Sequence, residues 1–276
     1  MQTAIISDVH ANQEALKAVL KDVRRQEVGR IFCLGDLVGY SAFPRETLAL
    51  LQKAQIPCVH GNHDLMAIGR LEPTRCGPNA SRAIEFTRTI LSQDEKRYLA
   101  ELPSVMYIDP HAIAVHSTLG DCEFRLQSAA QYRKEFEAVR LYDNRIRIVF
   151  TGHTHVYRVI EITSTGNVED HTRRAVKLNG HSFYFVNPGS VGHPRLSDYR
   201  ASYAPYDHST DMISFRRVAY DKKITLQENA RRDIQTDLGP SVASHLIRQL
   251  PIVVAKRLRR GRSVSLQGQE RANWPS

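Results

Sequence analysis

The chain has 276 residues, 42% of them hydrophobic and 24% charged, with a net charge of +9. That composition supplies a substantial core for one or two domains and an attraction for anions. No apolar run approaches the roughly 18 residues of a membrane helix. Met1-Gln2-Thr3 leads straight into an apolar segment with neither a basic region nor a cleavage signature. Membrane spanning and secretion are therefore not expected. Cys33, Cys58, Cys76 and Cys122 form no C-x-x-C pair, so they read as free thiols of a cytoplasmic protein.

In chain order, Thr3 to Ser7 is a short apolar strand. Asn12 caps a helix whose buried face is Leu16, Val19, Leu20 and Val23, spaced i, i+3, i+4, i+7. Ile31 to Leu34 is continuously apolar, as for a strand covered on both faces. A second helix follows Pro44, with Thr47, Leu48, Leu50 and Leu51 inward, and Ile56 to Val59 reads as a third strand. Asn79 to Leu91 and Asp94 to Leu102 are helical. Val105 to Ile108 and Ala112 to Val115 pair around the Asp109-Pro110 turn, Ser128 to Tyr142 is a charged helix, and Arg147 to Phe150 is a buried strand.

Beyond residue 156 the pattern changes to short strands, Val156 to Ile162, Phe183 to Val186, Ala201 to Tyr206 and Met212 to Val218, expected to complete a second sheet. From about Asp221 the chain turns helical and increasingly basic. The expected organisation is α/β, with a catalytic domain over 1–220 and a basic helical extension over 221–276. Arg248, Lys256, Arg257, Arg259, Arg260 and Arg262 crowd that extension without an acidic residue between them. Pro251 suits a first helical turn, and Ile252, Val253, Ala255 and Leu258 form an apolar side. Packing on the domain is the leading reading, with nucleic acid or another anionic partner as the second.

Polar residues gather where the strands end: Asp8-Val9-His10, Gly35-Asp36, Gly61-Asn62-His63-Asp64, His116, and Gly152-His153-Thr154-His155. In open α/β sheets the ligand crevice lies beyond the carboxyl ends of the strands. Five separate segments thus converge on one place. Their donors are carboxylate, imidazole and amide oxygen with no thiolate, which suits Mn, Fe, Zn and similar divalent ions. So many donors exceed one ion and fit two, with a carboxylate shared between them. The assignment is Asp8, His10, Asp36 and His155 on one ion, and Asp36, Asn62, His116 and His153 on the other, with Asp36 bridging. Mn leads, with Fe, Zn, Ni and Mg as alternatives.

This ordered set resembles the calcineurin-like metallophosphoesterase superfamily. The stretch Asn187-Pro188-Gly189-Ser190-Val191-Gly192-His193-Pro194-Arg195 is similar to its bacterial phosphodiesterase branch, including YfcE-like and diadenosine-tetraphosphatase-like members. The resemblance implies a four-layer α-β-β-α sandwich of two mixed sheets flanked by helices, with a dinuclear centre that hydrolyses phosphate esters. The superfamily's protein phosphatases carry Asp-Arg-Gly after the second motif. Here Gly39-Tyr40-Ser41 stands in that place, which demotes a protein phosphatase. Ser117 follows His116 where that branch often has glycine, a change expected to alter the loop alone.

On this reading two ions provide hydroxide that attacks phosphorus, while His63 protonates the departing alcohol and Asp64 orients the His63 imidazole. The substrate is a phosphate ester, a small nucleotide or similar diester. Tyr40 is a candidate to stack on its base and Arg195 to contact its phosphate. Gly69 to Asn79 and Leu119 to Gln127 border the cleft and bring Arg70, Arg75 and Arg125. A phosphomonoesterase or protein phosphatase using the same centre is the alternative, and a non-catalytic scaffold is the third reading.

Overall fold

The computed structural model describes residues 1–172, 174–195 and 199–234. The basic segment around Arg248 to Arg262 lies outside the described residues. Twelve strands among the described residues form two mixed six-stranded sheets. In the first, β2 (Arg30–Cys33) lies parallel to β1 (Gln2–Ile6), and β10 (Ala201–Asp207) runs antiparallel on the other side of β1. β11 (Met212–Ser214) and β12 (Arg216–Val218) both pair with β10, and β8 (Ala175–Lys177) closes the edge. The second sheet has β4 (Ala112–Val115), β5 (Ile148–Thr151) and β9 (Phe183–Asn187) parallel at its centre. Antiparallel strands flank them: β3 (Val105–Asp109) on one side, then β6 (Arg158–Ile162) and β7 (Val168–Asp170) on the other.

Strand alternation makes the four layers. Successive side chains of a strand point to opposite faces. Ala4 and Ile6 of β1 pack with Leu16, Val19, Leu20 and Val23 of helix α1 (Gln13–Arg25), whereas Ile5 joins the core between the sheets. Ala112 and Ala114 of β4, Ile148 and Phe150 of β5, and Tyr184 and Val186 of β9 share that inner core. Their neighbours Ile113, Val115, Val149, Phe183 and Phe185 face the other way and pack with Tyr132 and Val139 of a long outer helix, Ala129–Tyr142. Helices thus cover the outer face of each sheet.

The remaining helices follow local signals. Asn12 accepts the Ala15 N–H at 3.1 Å and caps α1. α2 (Pro44–Lys53) starts on proline, and α3 (Asn62–Ala67) is a six-residue turn of helix that carries site residues. α4 (Pro78–Ile90) and α5 (Gln93–Glu101) follow, and Ser92 with Glu95 forms a capping box at the start of α5. In this order the Ala129–Tyr142 helix is α6.

Three expectations are corrected. Ile56 to Val59 makes no strand, only a single parallel bridge from Cys58 to Cys33. Pro57 has no N–H to donate to a ladder, and its carbonyl alone takes the Cys33 N–H, at 2.9 Å. The late strands do not all complete the second sheet: β6, β7 and β9 extend it, whereas β8, β10, β11 and β12 join the first. Met212 to Val218 is two strands, parted at Phe215, whose side chain enters the inner core.

After β12 the chain returns over the domain as α7 (Lys223–Arg231). Asn229, 1% exposed, accepts the Ala42 N–H at 2.9 Å, and Thr225 donates to the Asn12 side chain at 3.2 Å. Ile234 is buried with Ala42 and Ala83. Asn229→Ala strands a buried backbone donor, which costs about 1–3 kcal/mol. At this chain length that is a fall of about 2–4 °C per kcal/mol in melting temperature. Calorimetry of the variant checks it, and an unchanged melting temperature refutes the tether.

Candidate metal centre

The carboxyl ends of the strands and the start of α3 deliver the candidate residues to one buried place. Asp8 and His10 follow β1, Asp36 follows β2, Asn62 opens α3, His116 follows β4, and His153 and His155 follow β5. Asp8, His10, Asp36 and His155 offer ligand atoms that all lie within 4.8 Å of one another, and so do Asp36, His116 and His153. The Asn62 Oδ1 joins the second set, 3.2 Å from His116 Nε2 and 3.1 Å from His153 Nδ1. Asp36 belongs to both sets. Its Oδ2 lies 3.7 Å from His10 Nε2 and 3.3 Å from His116 Nε2.

The backbone is bent to achieve this. Asp8, His10, Asp36, His153 and His155 all have φ between 51° and 62°. Non-glycine residues there cost about 1–3 kcal/mol each and persist only where the surroundings over-determine them. The His10 N–H donates to Asp36 O at 2.8 Å, and the His153 N–H donates to the Asp8 carboxylate at 3.1 Å. Neighbouring loops pass so close that a Cβ on Gly61 would collide with the Asp36 carboxylate.

The hydrogen bonds behind the rings decide which nitrogen faces inward. His116 Nδ1 lies 2.7 Å from Leu34 O, His155 Nδ1 lies 2.7 Å from His193 O, and His10 Nδ1 lies 3.3 Å from Val38 O. A carbonyl only accepts, so these Nδ1 atoms carry the protons. Burial holds His10 and His155 well below the usual histidine range, so both rings are neutral and turn Nε2 lone pairs inward. Those two Nε2 atoms are 2.9 Å apart, and His155 Nε2 is 3.4 Å from the Asp8 carboxylate. Lone pairs aimed at one another and at carboxylates repel unless a cation lies among them. The same outward Nδ1 bonds fix the tautomer of metal-ligating histidines in general.

The charged residues respond to one another. Burial raises Asp8 to about 7. Burial also opposes ionisation of Asp36, yet His116, His63 and His10 together hold it below the usual carboxylate range. Against its own burial, His116 is raised to about 9 by Asp36. His153, lowered by burial and by His116, falls to about 3. Two carboxylates and four imidazoles this desolvated, with the His10 and His155 lone pairs facing one another, fit divalent cations.

Four other expected residues lie around this cluster. His63 is 4% exposed beside the cluster, with Nδ1 unpartnered, its N–H on Asp36 Oδ1 at 2.9 Å and its ring 4.8 Å from that of His10. Asp64 does not orient it. One Asp64 oxygen accepts the N–H groups of Leu37 and Val38 at 2.8 and 3.2 Å, and the other accepts that of Gly61 at 2.8 Å. Three backbone donors satisfy the carboxylate, so it ties the second motif to the cap of α3. Tyr40 is not free to stack on a base, because its ring is already stacked on His63 at 4.8 Å and on His193 at 4.2 Å. Arg195 reaches the Tyr40 hydroxyl with Nη2 at 3.3 Å.

Asn187 and Ser190 support the centre through contacts that residue type alone does not announce. Asn187 donates to Gly152 O at 2.6 Å and to Thr154 Oγ1 at 3.1 Å, which fixes the loop of His153 and His155. The Ser190 hydroxyl donates to Asp8 O at 2.8 Å. Ser117 donates to Phe124 O and so shapes the loop after β4.

Comparison with known proteins identifies the family. Residues 1–211 match the family profile described as the calcineurin-like phosphoesterase superfamily domain. The crystal structure of a metallophosphoesterase from Sphaerobacter thermophilus is similar, with 34% identity and a TM-score of 0.72 over 86% of this chain and 97% of that one. An uncharacterized protein, MJ0912 of Methanocaldococcus jannaschii, is 31% identical over 244 residues, 86% of this chain and 95% of its own. The hypothetical protein PH1004 of Pyrococcus horikoshii shares the fold at 18% identity, with a TM-score of 0.70 over 86% of this chain and 95% of that one.

Proposed function

Since the chain belongs to the calcineurin-like phosphoesterase superfamily, we propose that it hydrolyses a phosphodiester, a small nucleotide or similar compound, at a dinuclear metal centre. The observation that carries this reading is the pair of inward Nε2 atoms, 2.9 Å apart, beside two donor sets that share Asp36. Asp8, His10, Asp36 and His155 hold one divalent ion in this proposal, and Asp36, Asn62, His116 and His153 the other. Mn is the leading ion, with Fe, Zn, Ni and Mg as alternatives. Ions bound there supply Lewis-acid stabilisation of the phosphate and an acidified water near neutral pH.

The chain's own residues do the rest. Leu34, Val38 and His193 carbonyls keep three imidazoles in the ligating tautomer. His63, although burial holds it below the usual histidine range, is the residue that passes a proton to the leaving alcohol in this proposal, and Arg195 faces the substrate phosphate. Residues 1–220 form the catalytic domain in this proposal, and 221–276 an extension that packs on it through α7. No helix among the described residues is long and apolar enough to cross a membrane. We place the protein in the cytoplasm, where its four cysteines stay reduced.

The test is a screen of diesters, monoesters and cyclic nucleotides with each of the five metals in turn. Bis(4-nitrophenyl) phosphate is expected to be turned over at least about tenfold faster than 4-nitrophenyl phosphate with Mn. Faster turnover of the monoester, or of a phosphopeptide, would favour the monoesterase reading instead.

A further inference from the structure

The β6–β7 hairpin carries a separate group of donors at the edge of the second sheet. β6 runs antiparallel to β9, so it leads away from the strand ends where Asp8 and Asp36 meet. Ile160 and Ile162 pack on the α6 side of the sheet, which puts Glu161 on the opposite face with Val159. Glu169 stands directly across the ladder from Glu161. His171, two residues further on, shares the face of Glu169 and reaches both carboxylates.

We propose that Glu161, Glu169 and His171 form a further cation site, which binds one divalent ion, Zn by preference, and ties β6 to β7. It is independent of the two donor sets that share Asp36.

The spacing is that of ligands around one ion. One atom from each of the three residues lies within 4.8 Å of the other two. His171 Nε2 is 2.7 Å from Glu161 Oε2 and 3.3 Å from Glu169 Oε2. Nitrogen and oxygen donors about 2.0–2.2 Å from a shared Zn lie roughly 2.8–3.6 Å from one another. Like charges directly opposite on a ladder destabilise it, so the facing carboxylates call for a cation.

A second observation concerns the His171 ring. Its Nε2 is closed off from solvent and has no hydrogen-bond partner among the described residues, although Glu161 Oε2 is only 2.7 Å away. At that distance a hydrogen bond fails on direction alone. An imidazolium serving merely as a partner to Glu161 would aim its N–H at that oxygen. This ring aims past it, as a ligand does when its lone pair is directed at an ion and not at its fellow ligand.

Glu161 is also held from behind. Asn179 donates from Nδ2 to Glu161 Oε1 at 2.9 Å, while its own N–H is taken by the Tyr184 hydroxyl at 3.0 Å. Such outer bonds orient a ligating carboxylate and leave its other oxygen for the ion. Burial opposes the charge on Glu161, but Ser182, Asn179 and His171 together keep it below the usual carboxylate range. The imidazole favours Zn over Mg or Ca, and the general order of affinities places Zn above Mn. Glu169 and His171 are only half-buried, which leaves water to complete the coordination.

Elemental analysis of full-length protein, dialysed at one fixed concentration of free Zn, tests this. His171→Ala and Glu169→Gln should each hold about one equivalent less Zn than the wild type, and the comparison subtracts the ions of the other donor sets. Both positions are partly exposed, and melting temperatures without metal report whether the variants are folded. Hydrogen exchange then locates the ion. Zn should slow the amides of β6 and β7 by at least about tenfold in the wild type, because binding adds to the cost of local opening. His171→Ala should remove that slowing. Equal Zn contents in wild type and variants, or slowing that persists in His171→Ala, overturns the site.

Discussion

Asp36→Asn is expected to abolish turnover and to empty both metal positions together. The two donor sets meet only at this residue, with Oδ2 at 3.7 Å from His10 Nε2 and 3.3 Å from His116 Nε2. The other oxygen accepts the His63 N–H at 2.9 Å. That bond dictates how an asparagine sits. Its amide oxygen must face the His63 N–H, because an NH2 group there would oppose another donor. The NH2 group is then forced into the space of Oδ2, where its hydrogens point at the very positions both cations need. Loss of a shared ligand and its charge, with a donor put in its place, should lower the rate by more than about a thousandfold, since metal-borne stabilisation is worth several kcal/mol. Elemental analysis beside kcat checks it. His153→Ala is the contrast, because His153 serves one set and should cost one ion. Two full equivalents in an active Asp36→Asn protein would overturn the bridging assignment.

What could be read in advance depended on where the physical constraint is written. Asp8, His10, Asp36, Asn62, His116, His153 and His155 stand in short motifs after apolar runs, so their types and order were visible before any fold was known. The atoms that aim them were not. Leu34 O, Val38 O and His193 O fix three ring tautomers, but a backbone carbonyl leaves no trace in residue type. Asp64 misled for a related reason. A carboxylate next to a histidine looks like its orienter, and only the bend that brings Leu37 and Val38 over α3 shows it accepting their N–H groups. Tyr40 looked available because nothing local announces that His193, far along the chain, stacks on it. The apolar pattern gave the strands β1, β2, β4, β5 and β9, most of whose residues are buried. It carried no information on partners, so the division of the late strands between two sheets could not be read from it. That division depends on β10 pairing with β1 across nearly the whole domain.

His63→Ala should lower the rate by about 10²- to 10⁴-fold, the range for losing a general acid, while the protein keeps its metals. The ring contributes no atom to either donor set. Its backbone N–H holds Asp36 whatever the side chain is, so alanine preserves that contact. The loss should depend on the leaving group. A nitrophenolate departs without a proton and should suffer least, whereas an alkoxide departs only when protonated and should suffer most. Equal losses for good and poor leaving groups would make His63 a positioning residue. Asp64→Asn separates the two neighbours. Were Asp64 the orienter of His63, its variant would show the same dependence on leaving group. The structure instead gives Asp64 three backbone donors and no contact with the ring. An asparagine must turn its NH2 either toward Gly61 N–H or toward Leu37 and Val38 N–H, so donor meets donor in both settings. The expected result is a fall of about 1–3 kcal/mol in stability from the unsatisfied groups, with kcat/KM for nitrophenyl and alkyl esters changed by the same factor. A loss confined to alkyl esters would return Asp64 to the side of His63.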